Sequence, residues 1–216
     1  MSEINKKKEM IKYLKLFAMD SFSPIRSGNI SIKFKLKGKE GFLISPSGKK
    51  NSELTTKDLV FVSMQAEVEK NKNPSSEWRF HLDLYKSSKC NAVVHAHSKF
   101  SVICSCLFNI IPSFHYMIAL TGEKKIKVAK YALFGSQKLS KNILDAIKKS
   151  KSCLISNHGQ ITIGNNLSEA FELAQEVELL CEYYYYCKLK KTPKIISNKE
   201  MQKVLNKIKN YKKSKN

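Results

Sequence analysis

Residues 91–100 read NAVVHAHSKF. Small and β-branched residues fill the first half, and the run has the character of a buried strand. In a strand, side chains at i and i+2 leave the same face, so His95 and His97 converge on one point, as two ligands of one metal do. The chain has only five histidines in 216 residues, which makes the spacing worth following. Two polar residues on a half-buried strand would look the same, so a third ligand has to decide the matter.

Outward from this strand the chain alternates between extended and helical patterns. KFSVICSCLF (99–108) reads as the helix that follows it. Upstream, residues 3 to 20 form a first amphipathic helix, with Ile4, Met10, Ile11, Leu14, Phe17 and Ala18 near helical spacing. SPIRSGNISIKF (23–34) breaks that helix and leads into a strand. KLKGKEGFLISPSG (35–48) reads as a hairpin whose second strand, GFLIS, ends in a tight loop. DLVFVSM (58–64) is another strand, and residues 76–87 are helical with Trp78, His81, Leu82 and Tyr85 on one stripe. Downstream, KVAKYAL (127–133) and SCLIS (152–156) are strands with the helix KLSKNILDAIKKS between them. QITIG (160–164) is short and extended. A long helix over 167–190 presents Ala170, Leu173, Ala174, Val177, Leu180, Cys181 and Tyr184 on one face, with Asn166 and Glu169 as its cap. Its four consecutive tyrosines read as packing and interface surface. A last helix precedes a short basic tail. The whole, residues 1–216, reads as one α/β domain with a central mixed or antiparallel sheet covered by helices.

Bulk properties narrow the classes. Hydrophobic content of 42% and charged content of 26% fit a soluble globular protein. No apolar run approaches a membrane span, and the lysine-rich start carries glutamates and no small-residue cleavage site, so the cytoplasm is the expected compartment. The six cysteines have no C-x-x-C spacing and read as reduced residues, most of them in apolar stretches. The net charge of +21 permits a nucleic-acid partner. Against that, the lysines are spread along the chain, and only Arg26 and Arg79 supply the residue that best reads base edges and phosphates. No nucleic acid and no membrane are expected as partners. A field of this sign also draws in anionic, phosphorylated small molecules.

CLISNHGQITIG (153–164) supplies the third ligand. His158 stands at the end of a buried strand, where Gly159 allows a sharp turn and a close approach. With His95 and His97 it makes a three-histidine set with an open position, the pattern of a catalytic divalent metal, most often zinc. A second signal is NPSSEWRFH (73–81). Ser75 and Ser76 precede a helix and offer hydroxyls and backbone N–H groups to an anion. Glu77, in the first turn, can reach the metal region, and a partly desolvated carboxylate there can act as general base. The third signal is the pair of small polar loops, Ser27-Gly28-Asn29 and Ser45-Pro46-Ser47-Gly48, which together with the Ser-Ser pair resemble a phosphate cradle.

Taken in order, Ser-Gly-Asn, Ser-Pro-Ser-Gly, Pro-Ser-Ser-Glu, His-Ala-His-Ser and Asn-His-Gly resemble the class II aldolase/adducin family. PSSEWRFHLDLYKS, PSFHYMIALTG, YALFGSQKLSKNI and LAQEVELLCEYYY are similar to its L-fuculose-1-phosphate aldolase branch, and the likeness runs from about residue 5 to 211. The resemblance implies zinc, or another divalent metal, on His95, His97 and His158. It makes Glu77 the acid/base, also able to contact the metal when no substrate is bound. Asn29, Ser47, Gly48, Ser75 and Ser76 fall on phosphate-binding positions. Tyr116 and Tyr211 fall on tyrosines that finish the site, the first reaching a neighbouring subunit's site in a cyclic homotetramer. The implied reaction is reversible cleavage of L-fuculose 1-phosphate, or another ketose 1-phosphate, to dihydroxyacetone phosphate and an aldehyde such as L-lactaldehyde. FSPIRSGN replaces a more glycine-rich lead-in, and Ser45 and Ser47 stand where threonine is common. Rival readings on the same scaffold are a sugar-phosphate epimerase, dehydratase or decarboxylase, or a non-catalytic adducin-like interaction domain. The epimerase branch carries Asp where this chain has Glu77, and an interaction domain would have lost the histidines.

Overall fold

In chain order the elements are α1 (Glu3–Met19), β1 (Asn29–Leu36), β2 (Lys39–Ile44), β3 (Val60–Ser63), α2 (Trp78–Ser87), β4 (Ala92–Ala96), α3 (Lys99–Leu107), β5 (Ile110–Ile111), β6 (Ile126–Ala129), α4 (Gln137–Ile147), β7 (Ser152–Ile155), β8 (Gly159–Gly164), α5 (Leu167–Lys190) and α6 (Asn198–Lys213). Two 3₁₀ turns cover Asn51–Glu53 and Tyr116–Thr121. The structure is a computed structural model that describes residues 2–19, 22 and 26–213. The helix break expected at 23–25 and the last residues of the basic tail lie outside these.

The eight strands form one sheet in the order β3-β2-β1-β4-β8-β7-β6-β5. Every pairing is antiparallel except β6 with β7, so the sheet is mixed. Strand β4 lies near the middle and is buried at every position. Its alternation sorts the two faces. Val93 joins an apolar cluster with Phe80, Leu84 and Tyr85 of α2 and Leu139 and Ile143 of α4. Ala92, Val94 and Ala96 join another with Met10, Leu14 and Phe17 of α1 and Ala170 and Phe171 of α5. A third cluster packs α3, α5 and Met201 of α6 around Ile118 and Leu154.

The neighbouring strand β1 repeats the rule, and the repetition builds the site. Ile30, Ile32 and Phe34 face the α1/α5 side. Asn29 and Ser31 therefore face α2, although both are polar and almost fully buried. Asn29 pairs with His95 in the β1–β4 register. Two adjacent strands thus present polar side chains side by side beneath one helix.

Several local expectations need adjustment. The KVAKYAL strand is shorter, closing at Ala129, and the two-residue β5 had no sequence signal. The QITIG segment is more than a short extension, since β8 runs between β4 and β7 in the heart of the sheet. Glu77 does not lie inside the first turn of α2 but at its N-cap, with φ −100° and ψ 8°. On α5 the Asn166 side chain accepts from Glu169 N–H at 2.8 Å, as a cap should, while the Glu169 carboxylate turns to Asn165. Cys90, Cys104, Cys153 and Cys181 are buried and Cys106 and Cys187 exposed, all of them free. Among the described residues no helix is long and apolar enough to cross a membrane.

Candidate metal and active site

His95 sits within β4 and His97 one residue beyond its end, so the strand period aims both rings at the region under α2. His158 arrives on the turn between β7 and β8. The left-handed residue of that turn is Asn157, with φ 55°, so Gly159 is not needed for the bend itself. Gly159 serves close approach: a Cβ there would lie 2.3 Å from the Ala96 carbonyl oxygen, inside the β4–β8 contact that holds the histidines together. On the other flank, Gly28 combines φ +73° with a position where a Cβ would meet the His95 carbonyl oxygen at 2.6 Å. Only glycine fits both constraints.

The three imidazoles form a propeller. Ring centroids are 4.7–4.8 Å apart in all three pairs, with interplanar angles of 71° to 84°. Glu77 reaches in from the start of α2. Its Oε2 lies 3.1 Å from His95 Nε2 and its Oε1 3.4 Å from His158 Nε2. His95 donates from Nδ1 to the Gln160 carbonyl at 2.9 Å, which turns its Nε2 toward the other two rings. That nitrogen is 2.9 Å from His97 Nε2. Burial, then the neighbouring His95 ring, pushes His97 down to about 3 and His158 to about 4, so both are neutral at pH 7. For Glu77, burial alone would raise the pKa. The adjoining His95 outweighs it, with help from His158 and His97, and the carboxyl is held near 2. Three imidazole nitrogens and an anionic carboxylate oxygen thus crowd one point.

This donor set fits a divalent cation. One ligand atom from each of Glu77, His95, His97 and His158 can be chosen so that all lie within 4.8 Å of one another. Glu77 Oε1 is buried and accepts no hydrogen bond among the described residues. Three imidazole nitrogens and one carboxylate suit zinc and its first-row neighbours. Calcium and magnesium prefer all-oxygen shells. Behind the cluster, Glu178 of α5 anchors the start of α3 just after His97: its carboxylate accepts from Ser98 Oγ at 2.5 Å and from the N–H groups of Phe100 and Ser101 at 2.6 and 2.8 Å. Such outer contacts hold ligand geometry. The Cys104-x-Cys106 pair rides away on α3 and contributes nothing to the cluster.

An open cleft of about 250 Å³ adjoins the histidines. Asn29, Ser47, Gly48, Ser75 and Ser76 all line it, together with Glu77, His97 and His158. Backbone bonds hold its two loops together: Ser75 N–H donates to the Ser45 carbonyl and Ser47 N–H to the Asn73 carbonyl, at 3.0 and 3.1 Å. Gly48, at φ 76°, closes the turn. Ser75 Oγ accepts from Asn29 Nδ2 at 3.0 Å and from Glu77 N–H at 3.4 Å, so its own hydroxyl proton is free to donate into the cleft. Tyr116 and Tyr211 are not brought here. They are 52% and 61% exposed, on the second 3₁₀ turn and on α6, and neither lines this cleft.

Three residues escaped the sequence reading. Arg26 lines the cleft as its one permanent cation among the described residues, and Phe134 supplies its one aromatic wall. The first was noticed only as one of two arginines, and the second only within the YALFG match. His81 is fully buried one helical turn past Glu77, and as one of several residues on an amphipathic stripe it carried no separate signal.

Comparison with known proteins agrees with the geometry. Residues 8–185 match the family described as Class II Aldolase and Adducin N-terminal domain. The 5-methylthioribulose-1-phosphate/5-deoxyribulose-1-phosphate aldolase of Rhodospirillum rubrum is 41% identical over 186 residues, covering 86% of this chain and 82% of that protein. The L-fuculose phosphate aldolase of Haemophilus influenzae is 42% identical over 189 residues, covering 86% and 85%. A solved structure of L-fuculose 1-phosphate aldolase superposes with a TM-score of 0.90 at 32% identity, over 97% of this chain and 98% of that one.

Proposed function

This chain belongs to the class II aldolase and adducin family, and on that footing we propose that it is a zinc-dependent aldolase cleaving a ketose 1-phosphate reversibly to dihydroxyacetone phosphate and an aldehyde. The observation that carries the reading is the place of Glu77. The same Asn29 amide nitrogen that donates to Ser75 Oγ, at the phosphate cradle, donates to Glu77 Oε2 at 3.1 Å, and that oxygen also touches His95. One carboxylate therefore links the phosphate end of the cleft to its metal end.

A divalent cation held by His95, His97 and His158, with Glu77 as a further ligand only when no substrate is bound, would supply Lewis-acid polarisation of the substrate carbonyl, an effect of several kcal/mol on developing negative charge. The chain does the rest. Asn29, Ser47, Gly48, Ser75 and Ser76 hold the phosphate, and Arg26 gives it a counter-charge. In cleavage the C4 hydroxyl gives up its proton, the C3–C4 bond breaks, and its electron pair passes from C3 toward the C2 carbonyl. Glu77 returns a proton to C3, and in synthesis removes the same proton from dihydroxyacetone phosphate. Tyr116, supplied by a neighbouring subunit of a homotetramer, exchanges the proton of the aldehyde oxygen, and Tyr211 helps to close the site. The exposure of both tyrosines away from their own chain's cleft supports a role across an interface, as do the exposed Tyr183 and Tyr186 on α5.

L-Fuculose 1-phosphate, giving L-lactaldehyde, is the first substrate of this reading. A second, 5-methylthioribulose 1-phosphate, is favoured by Phe134, whose exposed ring is an apolar wall suited to a methylthio-terminated aldehyde. The test is a coupled assay of dihydroxyacetone phosphate release from each compound by zinc-loaded protein, with Glu77→Ala as control. Zinc- and Glu77-dependent release from either is the expected result, and the faster of the two names the sugar. Intact, metal-loaded protein that releases none from both would remove the aldolase reading in favour of an epimerase, dehydratase or decarboxylase on the same scaffold.

A further inference from the structure

Two periodicities interlock beneath α2. Asn29 and Ser31 are two apart on β1 and share a face. His81 and Tyr85 are four apart on α2 and share a stripe. The four side chains alternate in a single hydrogen-bonded row. His81 Nε2 is 2.5 Å from Asn29 Oδ1, and His81 Nδ1 is 2.7 Å from Ser31 Oγ. Ser31 Oγ is in turn 2.7 Å from Tyr85 OH. Asn29, Ser31, His81 and Tyr85 are all almost or wholly buried. The His81 ring is stacked against Phe80 at 4.6 Å and lies near-parallel to Phe42 at 6.5 Å.

The direction of the row follows from its catalytic end. An ionised carboxylate only accepts, so the Asn29 group facing Glu77 Oε2 has to be the NH₂. Its second N–H goes to Ser75 Oγ. Asn29 Oδ1 is then left to accept, and the atom it faces, His81 Nε2, has to carry the proton. A neutral ring with Nε2–H has a bare Nδ1, which accepts from Ser31 O–H, and Ser31 Oγ accepts from Tyr85 O–H. Reversing any one link would set two donors or two acceptors against each other among side chains that are almost or wholly buried.

We propose that His81, carrying its proton on Nε2 and accepting from Ser31 at Nδ1, is the positioning residue that fixes which way the Asn29 amide faces and so orients the Glu77 carboxylate. The side chain touches neither metal ligand nor cleft, and it acts only through Asn29. Its catalytic consequence rests on the aldolase reading, but its tautomer does not.

The test combines spectroscopy with a pair of substitutions in the full-length protein. Long-range ¹H–¹⁵N correlation of the imidazole nitrogens should show His81 neutral with the proton on Nε2, and a proton on Nδ1 would overturn the proposal whatever the activity. His81→Gln places an amide N–H near the Nε2 position, whereas His81→Phe keeps the ring and offers none. Dihydroxyacetone phosphate release at saturating zinc and ketose 1-phosphate should fall about 10–100-fold in His81→Phe, the usual effect of removing an outer-shell partner, with kcat and not KM carrying the loss. His81→Gln should recover most of it. Equal rates in the two variants, both folded by circular dichroism and both carrying metal, would reduce His81 to core packing. Should His81→Phe fail to fold, parent against His81→Gln and the tautomer measurement still decide. Failure of the aldolase reading itself shows differently, as a parent protein without turnover and a His81 tautomer that can still be read.

Discussion

Lowering the pH of the metal-free chain should weaken it through His81. The ring is fully buried, and burial, with His95 nearby and only Glu77 opposing, pushes its pKa from 6.5 down to about 3. Below pH 6.5 the unfolded chain takes up a proton that the folded chain refuses, so stability is fully present above that value and falls as pH drops towards 3. Each pH unit is worth about 1.4 kcal/mol, so between pH 7 and pH 5 this one residue removes about 2 kcal/mol. His97 and His158, also held neutral, act in the same direction. The assay is urea unfolding at both pH values after exhaustive chelation, comparing the parent with His81→Gln, which cannot titrate. The parent's loss of unfolding free energy should exceed the variant's by about 2 kcal/mol. Equal losses would refute the burial argument, because they would mean that the ring is as easily protonated inside the fold as outside it.

Three further outcomes are expected. Glu77→Ala should keep its metal on the three histidines, by elemental analysis, while turnover drops about 10²–10⁴-fold, the usual size of a general acid–base contribution. Turnover near the parent's in a folded variant would take the acid/base role from Glu77. His95→Ala should lose the metal itself, because it removes the ring that meets both His97 and Glu77; a full complement of zinc in that variant would count against the triad. Gly28→Ala should cost about 1–2 kcal/mol for the left-handed backbone alone. The new Cβ also presses on the His95 carbonyl, so thermal melting and zinc affinity should fall together, and a lowered melting point with unchanged zinc affinity would separate the two.

What was legible in the sequence was legible for local reasons. The H-x-H pair could be aimed because a strand has period two, and Asn-His-Gly could be placed because it ends a short buried run. Ser-Gly-Asn, Ser-Pro-Ser-Gly and Pro-Ser-Ser-Glu are turn chemistry, readable wherever they stand. The residues that escaped depend on packing between distant elements. His81 meets Ser31 across 50 positions and Asn29 across 52, and only the docking of α2 over β1 brings them into contact. Glu77 looked like a first-turn residue because cap position is set by backbone angles that composition does not encode. Gly159 reads as serving both a sharp turn and a close approach, and only the close approach holds, because the left-handed residue of that turn is Asn157. Tyr116 and Tyr211 were assigned by resemblance alone, and their own chain's cleft does not contain them.

The most direct measurement is a metal titration of the chelated protein while dihydroxyacetone phosphate release from L-fuculose 1-phosphate and from 5-methylthioribulose 1-phosphate is followed. Activity should rise in proportion to added zinc, level off at one equivalent per chain, and stay at the baseline in His95→Ala. Release that proceeds at full rate without metal, or that needs metal but survives in His95→Ala, would contradict a reaction centred on Glu77, His95, His97 and His158.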